Sequence, residues 1–209
     1  MRRILLNGNW TLKFDGNEIT DAKVPGSVYG TLLEKGLMED PYYRDNELKA
    51  LKLMDNDCEY SLKFHIRSLD IGKNIPKLVF KGVDTLADVW LNGVFIGSMD
   101  NMHRTWHFNV AGILKYDCEN EIRVVIHSPV RFIKEENEKV YCGGSHEAME
   151  GFPHLRKAHC MFGWDWAAQL PDCGIWRSID LVGYSYIKLD EVEIIQHHDR
   201  KSVNLEMTP

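Results

Sequence analysis

The sequence predicts an all-β protein built as a sandwich of antiparallel sheets. Three observations carry that expectation. Apolar residues recur at every second position through most of the chain, Asn92-Gly93 separates two apolar runs, and only one segment holds a full set of helix signals. A period of two puts alternate side chains on opposite faces of a strand, so one face packs while the other meets water. Short strands bounded by turn residues, with few helices, suit two packed antiparallel sheets.

Along the chain, Trp10-Thr11-Leu12-Lys13-Phe14 is the first alternating run. Pro25-Gly26-Ser27 then reads as an entry turn, with Ser27 the N-cap of a helix. In it Val28 pairs with Leu32 and Tyr29 with Leu33 at i,i+4, and Gly36 and Pro41 end it. Asp45 to Leu51 predicts a second short helical turn. Tyr60, Leu62, Phe64 and Ile66 alternate with Ser61, Lys63 and His65, and Leu78-Val79-Phe80 follows. Ala87, Val89 and Leu91 lead into Asn92-Gly93, and Val94-Phe95-Ile96-Gly97 leads out. Asn-Gly is a strong hairpin signal because both turn residues must tolerate positive φ. Trp106, Phe108 and Val110, then Ile122, Val124 and Ile126, supply further strands, as do Ile175 to Val182 and Tyr186 to Ile195.

The chain closes with apolar residues to Gln196, a polar His197-His198-Asp199-Arg200-Lys201 turn, and Val203, Leu205 and Met207. A lone hairpin is marginal in water. Residues 1–184 are therefore expected to form one domain, and residues 185–209 the opening strands of a second β domain cut short.

Composition narrows the functional classes. Twenty-five Lys and Arg against 31 Asp and Glu leave a net charge of −6, which disfavours nucleic-acid and anionic-membrane partners. With 44% hydrophobic and 27% charged residues the chain has globular composition. No apolar run nears the roughly 18 residues of a membrane-spanning helix. Only Ile4-Leu5-Leu6 follows Arg2-Arg3 before Asn7, too little for a signal-peptide core. The five cysteines are odd in number, lack a Cys-x-x-Cys pair, and read as free thiols. The expected compartment is the cytoplasm.

Residues 131–174 break the pattern, since no strand alternation runs through them and Gly143-Gly144, Gly151, Pro153, Gly163 and Pro171 punctuate them. Irregular stretches of this length are usually functional when ordered. Within this one, Phe162-Gly163-Trp164-Asp165-Trp166 is the sharpest feature. A carboxylate flanked by indoles suits a sugar, whose C–H faces cover the rings while its hydroxyls donate to the carboxylate. The same residues also suit a Trp-rich loop packed on the sandwich, with Asp165 capping a turn. Cys142, His146, His154, His159 and Cys160 fit no zinc spacing, so no metal or cofactor is expected. Glu147, Glu150, Asp165 and Asp172 offer no distinguished pair of the kind a glycosidase needs. The run Lys134 to Lys139 reads as a solvated face.

The order of several motifs resembles a known family. Trp10, Val24-Pro25-Gly26-Ser27-Val28, Asp40-Pro41-Tyr42-Tyr43-Arg44-Asp45-Asn46-Glu47, Gly82 to Gly93 and Gly174-Ile175-Trp176-Arg177 together resemble the N-terminal domain of glycoside hydrolase family 2. Arg156-Lys157-Ala158 followed by Phe162-Gly163-Trp164-Asp165-Trp166 is similar to the motif of its β-mannosidase branch. The resemblance covers essentially the whole chain. It implies a galactose-binding-like jelly-roll β-sandwich, followed in the full protein by an immunoglobulin-like domain and a (β/α)8 barrel. It also implies a retaining β-mannosidase that removes terminal β-D-mannose from oligosaccharides, with both catalytic glutamates in the barrel and none in this chain. By the same resemblance Asp165 would bond mannose hydroxyls, Trp164 would close the pocket beside it, and Arg156 and Lys157 would hold the loop or the Asp165 charge. Ala167-Ala168 stands where the family usually has Gly-Pro, and Cys160 where an aromatic is common. A free-standing carbohydrate-binding module is the alternative from another class, and a purely buttressing sandwich is a third reading.

Overall fold

Alternation becomes pairing in the computed structural model of the chain, which describes residues 2–71, 75–184, 189 and 191–208. The strands of the sandwich are β1 (Arg2–Leu5), β2 (Gly8–Phe14), β3 (Asn17–Val24), β4 (Cys58–Ile66), β5 (Ile75–Phe80), β6 (Ala87–Leu91), β7 (Val94–Met99), β8 (Trp106–Asn109), β9 (Cys118–Ile126) and β10 (Ile179–Tyr184). A four-stranded sheet in the order β1-β10-β5-β8 faces a six-stranded sheet in the order β3-β2-β4-β9-β6-β7. Every pairing in both is antiparallel. The first and last of these strands are neighbours, so closing the smaller sheet requires nearly the full length of the chain.

Register explains the burial. Leu12, Tyr60, Val124 and Val89 form one row across β2, β4, β9 and β6, and all four are fully buried. Leu78, Phe80, Ile179 and Leu181 of the smaller sheet are equally buried in the same core. Each such aliphatic or aromatic side chain contributes ~1.5–3 kcal/mol through burial. A slip of one residue would turn a whole row toward water, so the pattern specifies the register.

Turns and caps follow local chemistry. Asn92 and Gly93 have φ of 53° and 80°, the pair of positive values the β6–β7 hairpin requires. Helix α1 (Val28–Glu34) starts at Ser27, whose Oγ accepts from the Gly30 N–H at 3.1 Å. Helix α2 (Asn46–Leu53) occupies the second helical turn expected from the sequence. No helix among the described residues is long and apolar enough to cross a membrane.

Several elements differ from the sequence expectation. Strands β1 and β3 and the one-turn helix α3 (Ser68–Ile71) were not expected. The expected strand Ile175–Val182 begins only at Ile179, because residues 174–177 are held by bonds to Asp84 and Gly82 before the ladder starts. The supposedly irregular 131–174 stretch opens with helix α4 (Pro129–Lys139), capped by Ser128, whose Oγ accepts from Arg131 N at 3.1 Å. Its charged run is the outer side of that helix, while Ile133 on the other side is fully buried. At the C-terminal end, β11 (Glu193–His198) and β12 (Val203–Thr208) pair as a hairpin whose residues are all exposed. The first part of the expected strand from Tyr186 lies outside the described residues.

Candidate functional site

The long loop after α4 is built around a small core of its own. Ile133 of α4, Ala148, Phe152, Leu155 and Phe162 are buried together, with Leu86, Phe132, Met149 and Trp164 packed against them. Backbone bonds fold the loop on itself: Met149 N donates to Phe162 O at 2.9 Å and Leu170 N to Met161 O at 2.9 Å. Gln169 N donates to Glu47 Oε1 of α2 at 3.1 Å, tying the end of the loop to the helical segment. Gly151 lets the loop approach α4. Its φ is +79°, and an added Cβ would lie 2.5 Å from the Ile133 carbonyl oxygen.

This core presents the Trp-Asp-Trp run. Trp164 sits half-buried, its ring edge-on to Phe152 at 5.6 Å, and its Nε1 donates to the His159 carbonyl at 3.3 Å. Trp166 is 67% exposed and stacks on Trp164 with ring centres 5.1 Å apart and planes 5° from parallel. Trp164 has φ of +77°, a left-handed conformation that costs a bulky residue ~1–3 kcal/mol. Packing on Phe152 and the Nε1 bond hold it there. Asp165, between the two indoles in sequence, is exposed and forms no hydrogen bond or ion pair among the described residues. The turn thus offers a free carboxylate beside stacked aromatic faces, one of which stays open to solvent.

The two basic residues expected to support this turn do different things. Arg156 is exposed, and its backbone carbonyl accepts from Met102 N at 3.1 Å. Lys157 is buried, with none of its side chain exposed. Its Nζ donates to Asp84 Oδ2 and to the Asp172 carbonyl. Neither residue pairs with Asp165. Lys157 instead pins the loop to the sandwich. Asp84 is itself buried and also accepts from the Thr85 hydroxyl. Asp172 completes the knot: its Oδ1 accepts from Tyr29 N at 3.0 Å and Cys173 N at 2.8 Å. Burial pushes the Asp172 carboxyl above its usual range, against the opposing pull of its hydrogen bonds from Ser27, Tyr29 and Cys173 and of the Lys157 charge. Cys173 Sγ lies 3.7 Å from Cys58 Sγ, and that contact together with burial holds the Cys173 thiol well above its ordinary value.

Asp84 and Thr85 were missed by sequence reasoning, and Asp172 was considered only as one of several loop acids, not as an anchor. Asp84-Thr85 lies inside one of the motifs behind the resemblance, and that was the available signal. Two of the loop histidines are spent locally, His154 Nε2 lying 3.0 Å from Val140 O and His159 Nε2 3.3 Å from Leu155 O. Among the described residues no group of three or more His, Cys, Asp and Glu is placed to hold a metal. Of the loop acids, Glu147 accepts from the Ser145 hydroxyl and Glu150 from Asn137 Nδ2 at 3.0 Å.

The motifs that are distant in sequence meet at this knot. Asp84 and Gly174 exchange backbone bonds of 2.9 and 3.1 Å, and a Cβ on Gly174 would stand 2.6 Å from the Gly26 carbonyl oxygen. Residues 10–177, which contain all of these positions, match the family described as glycosyl hydrolase 2 galactose-binding domain-like. The chain belongs to that family. Over 196 residues it is 35% identical to a β-mannosidase from Capra hircus, covering 90% of this chain and 22% of that protein. A Rattus norvegicus β-mannosidase is 31% identical over 207 residues, 94% of this chain and 23% of its own length. The crystal structure of a β-D-mannosidase from Dictyoglomus thermophilum superposes with a TM-score of 0.87 at 32% identity, covering 99% of this chain and 26% of that one. A β-D-glucuronidase from the same organism, with a TM-score of 0.62 and 14% identity, shares the fold. The chain spans about a quarter of the length of these β-mannosidase relatives.

Proposed function

We propose that this chain is the N-terminal, non-catalytic domain of a retaining β-mannosidase that hydrolyses terminal β-D-mannose residues, and that its long loop forms one wall of the sugar pocket. The observation that carries the reading is the likeness to named β-mannosidases at 32–35% identity, including a TM-score of 0.87 over 99% of the chain. In this reading the catalytic glutamates belong to a (β/α)8 barrel elsewhere in the same polypeptide. Asp165 accepts hydrogen bonds from hydroxyls of a mannose-containing oligosaccharide, and Trp164 covers a face of the ring. Arg156 flanks the loop, and Lys157 supports it from beneath by anchoring it on Asp84. Binding energy of this kind, spent away from the reacting bond, positions the sugar for chemistry done elsewhere.

Two further readings accompany it. Residues 1–184 form the sandwich domain and 185–209 begin an immunoglobulin-like domain. The exposed apolar side of the β11–β12 hairpin supports this, because Ile194, Met207, Leu205 and Val203 share one face that a further sheet would cover. The compartment is the cytoplasm, a reading supported by five free thiols, two of them buried 3.7 Å apart without a disulfide.

Asp165→Ala in the full-length protein tests the pocket wall. A hydrogen bond to a charged group is worth ~1.5–3 kcal/mol, and kcat/KM on a terminal β-mannoside should fall about 10- to 150-fold. A loss of less than threefold, with the melting temperature unchanged, would remove Asp165 from the site. Tight mannose binding by the isolated chain, in a native product that ends with it, would favour a free-standing binding module instead.

A further inference from the structure

The six-stranded sheet has an outer face that the proposed pocket does not use. Its register places Ser98, Asp88, Val125 and Glu59 in one outward row, and Phe95, Trp90, Arg123 and Ser61 in the next. Where the first row meets α4 there is a cleft of about 570 Å³, larger than the hollow of about 290 Å³ beside Tyr141 and Phe152. Its size is that of an ordinary ligand site. Leu86, Met99 and Phe132 supply an apolar floor.

The polar wall is already organised. Asp88 accepts from the Ser98 hydroxyl at 2.5 Å and lies 2.9 Å from His127 Nε2. Burial raises the Asp88 carboxyl, but the bonds from Ser98 and His127 outweigh it and hold it below the usual carboxylate value. Arg131 reaches Asp57 with one guanidinium nitrogen, which fixes the direction of the rest of its fork. The other ring nitrogen of His127, Nδ1, faces Asp57 Oδ2 at 3.9 Å, so both ends of the ring are turned to carboxylates. Asp100 and Glu135 also line the cleft, exposed and without a hydrogen bond or ion pair among the described residues.

That inventory selects a ligand class. An anion would meet the carboxylates of Asp88, Asp100 and Glu135, and a compact cation would meet Arg131. A wholly apolar guest would strip water from charged groups and return nothing. A sugar matches on both counts, since its hydroxyls donate to Asp100 and Glu135 and accept from Arg131, while its C–H face lies on the apolar floor. Two positions along β6, ~6.6 Å away, Trp90 continues the surface. Arg123 lies over its ring at 3.7 Å and the 53%-exposed Phe95 stands 5.6 Å away, a shelf for the next residue of a chain.

We propose that this cleft and shelf form a second binding site, for a neutral oligosaccharide, lined by different residues from the Trp164–Asp165 turn. Only the choice of a mannose-based probe rests on the β-mannosidase reading. The experiment uses the full-length protein treated with 2-deoxy-2-fluoro-β-D-mannosyl fluoride, which blocks a retaining site covalently, and intact mass reports that step separately. A protein that takes no label counts against the β-mannosidase reading and is titrated directly, so the two ideas fail independently. Titration calorimetry with β-1,4-mannotriose should then find one remaining site, weakened at least tenfold by Asp100→Ala/Glu135→Ala and unaffected by Asp165→Ala. Both cleft substitutions are at exposed positions and should leave the melting temperature in place. No binding to the blocked protein, or binding that the double variant changes by less than twofold, would overturn the proposal.

Discussion

Replacing Lys157 with methionine would leave the Asp84 carboxyl buried without its counter-charge. Lys157 exposes none of its side chain and Asp84 only 5%, so water cannot substitute for the lost ammonium. Thr85 would remain as a partner for Asp84, but a hydroxyl supplies a dipole where a full charge stood. Breaking a buried pair by removing one partner costs ~3–5 kcal/mol. The Asp172 carbonyl would lose its Nζ donor as well. For a protein of this size each kcal/mol lowers the midpoint by ~2–4 °C, so Lys157→Met should melt ~6–20 °C below the parent. Thermal unfolding followed by circular dichroism at pH 7 measures this directly. Lys157→Met/Asp84→Asn should recover at least half of the loss, because the double change removes both charges together. A single variant within ~2 °C of the parent, or a double variant no better than the single, would refute the electrostatic account of how the loop is anchored.

Two other substitutions probe the same loop. Gly151→Ala should cost at least ~1–3 kcal/mol, because φ of +79° is strained for alanine and the new Cβ would sit 2.5 Å from a backbone oxygen that cannot swing away. A midpoint unchanged in thermal unfolding would contradict that close approach. Asp172 concerns pH. Its native carboxyl titrates above the unfolded value of ~3.9, so between the two values the folded state holds more protons and stability falls as pH rises. Asp172→Asn keeps an acceptor for the Tyr29 and Cys173 amides and removes the titration. Its midpoint should therefore gain on the parent as pH is raised through that window, and a gain that shrinks instead would show the wrong sign.

Local chemistry was readable where it acts over a few residues. The Asn92-Gly93 turn, the Ser27 cap and the alternation of β4 and β9 each follow from neighbouring side chains, and each is present where expected. Elements failed to show where the period was diluted. Strand β3 buries only Ile19, Ala22 and Val24, and a shift in its pairing with β2 breaks the period of two. Helix α4 buries only Pro129 and Ile133, so its charges masked its helical face.

The candidate site divides along the same line. Trp164-Asp165-Trp166 stood out because a carboxylate beside two indoles is unusual chemistry within a few residues, and the family motifs add the order in which such pieces recur. Residue order and local chemistry were therefore enough for the fold class, the turns and the location of the aromatic turn. Closure of the sheets was needed to show that Asp165 forms no bond among the described residues, that Trp166 stacks on Trp164, and that Lys157 turns inward to a partner 73 residues away. Charge pairing and ring stacking depend on distances in space, and the closing of the two sheets sets those distances.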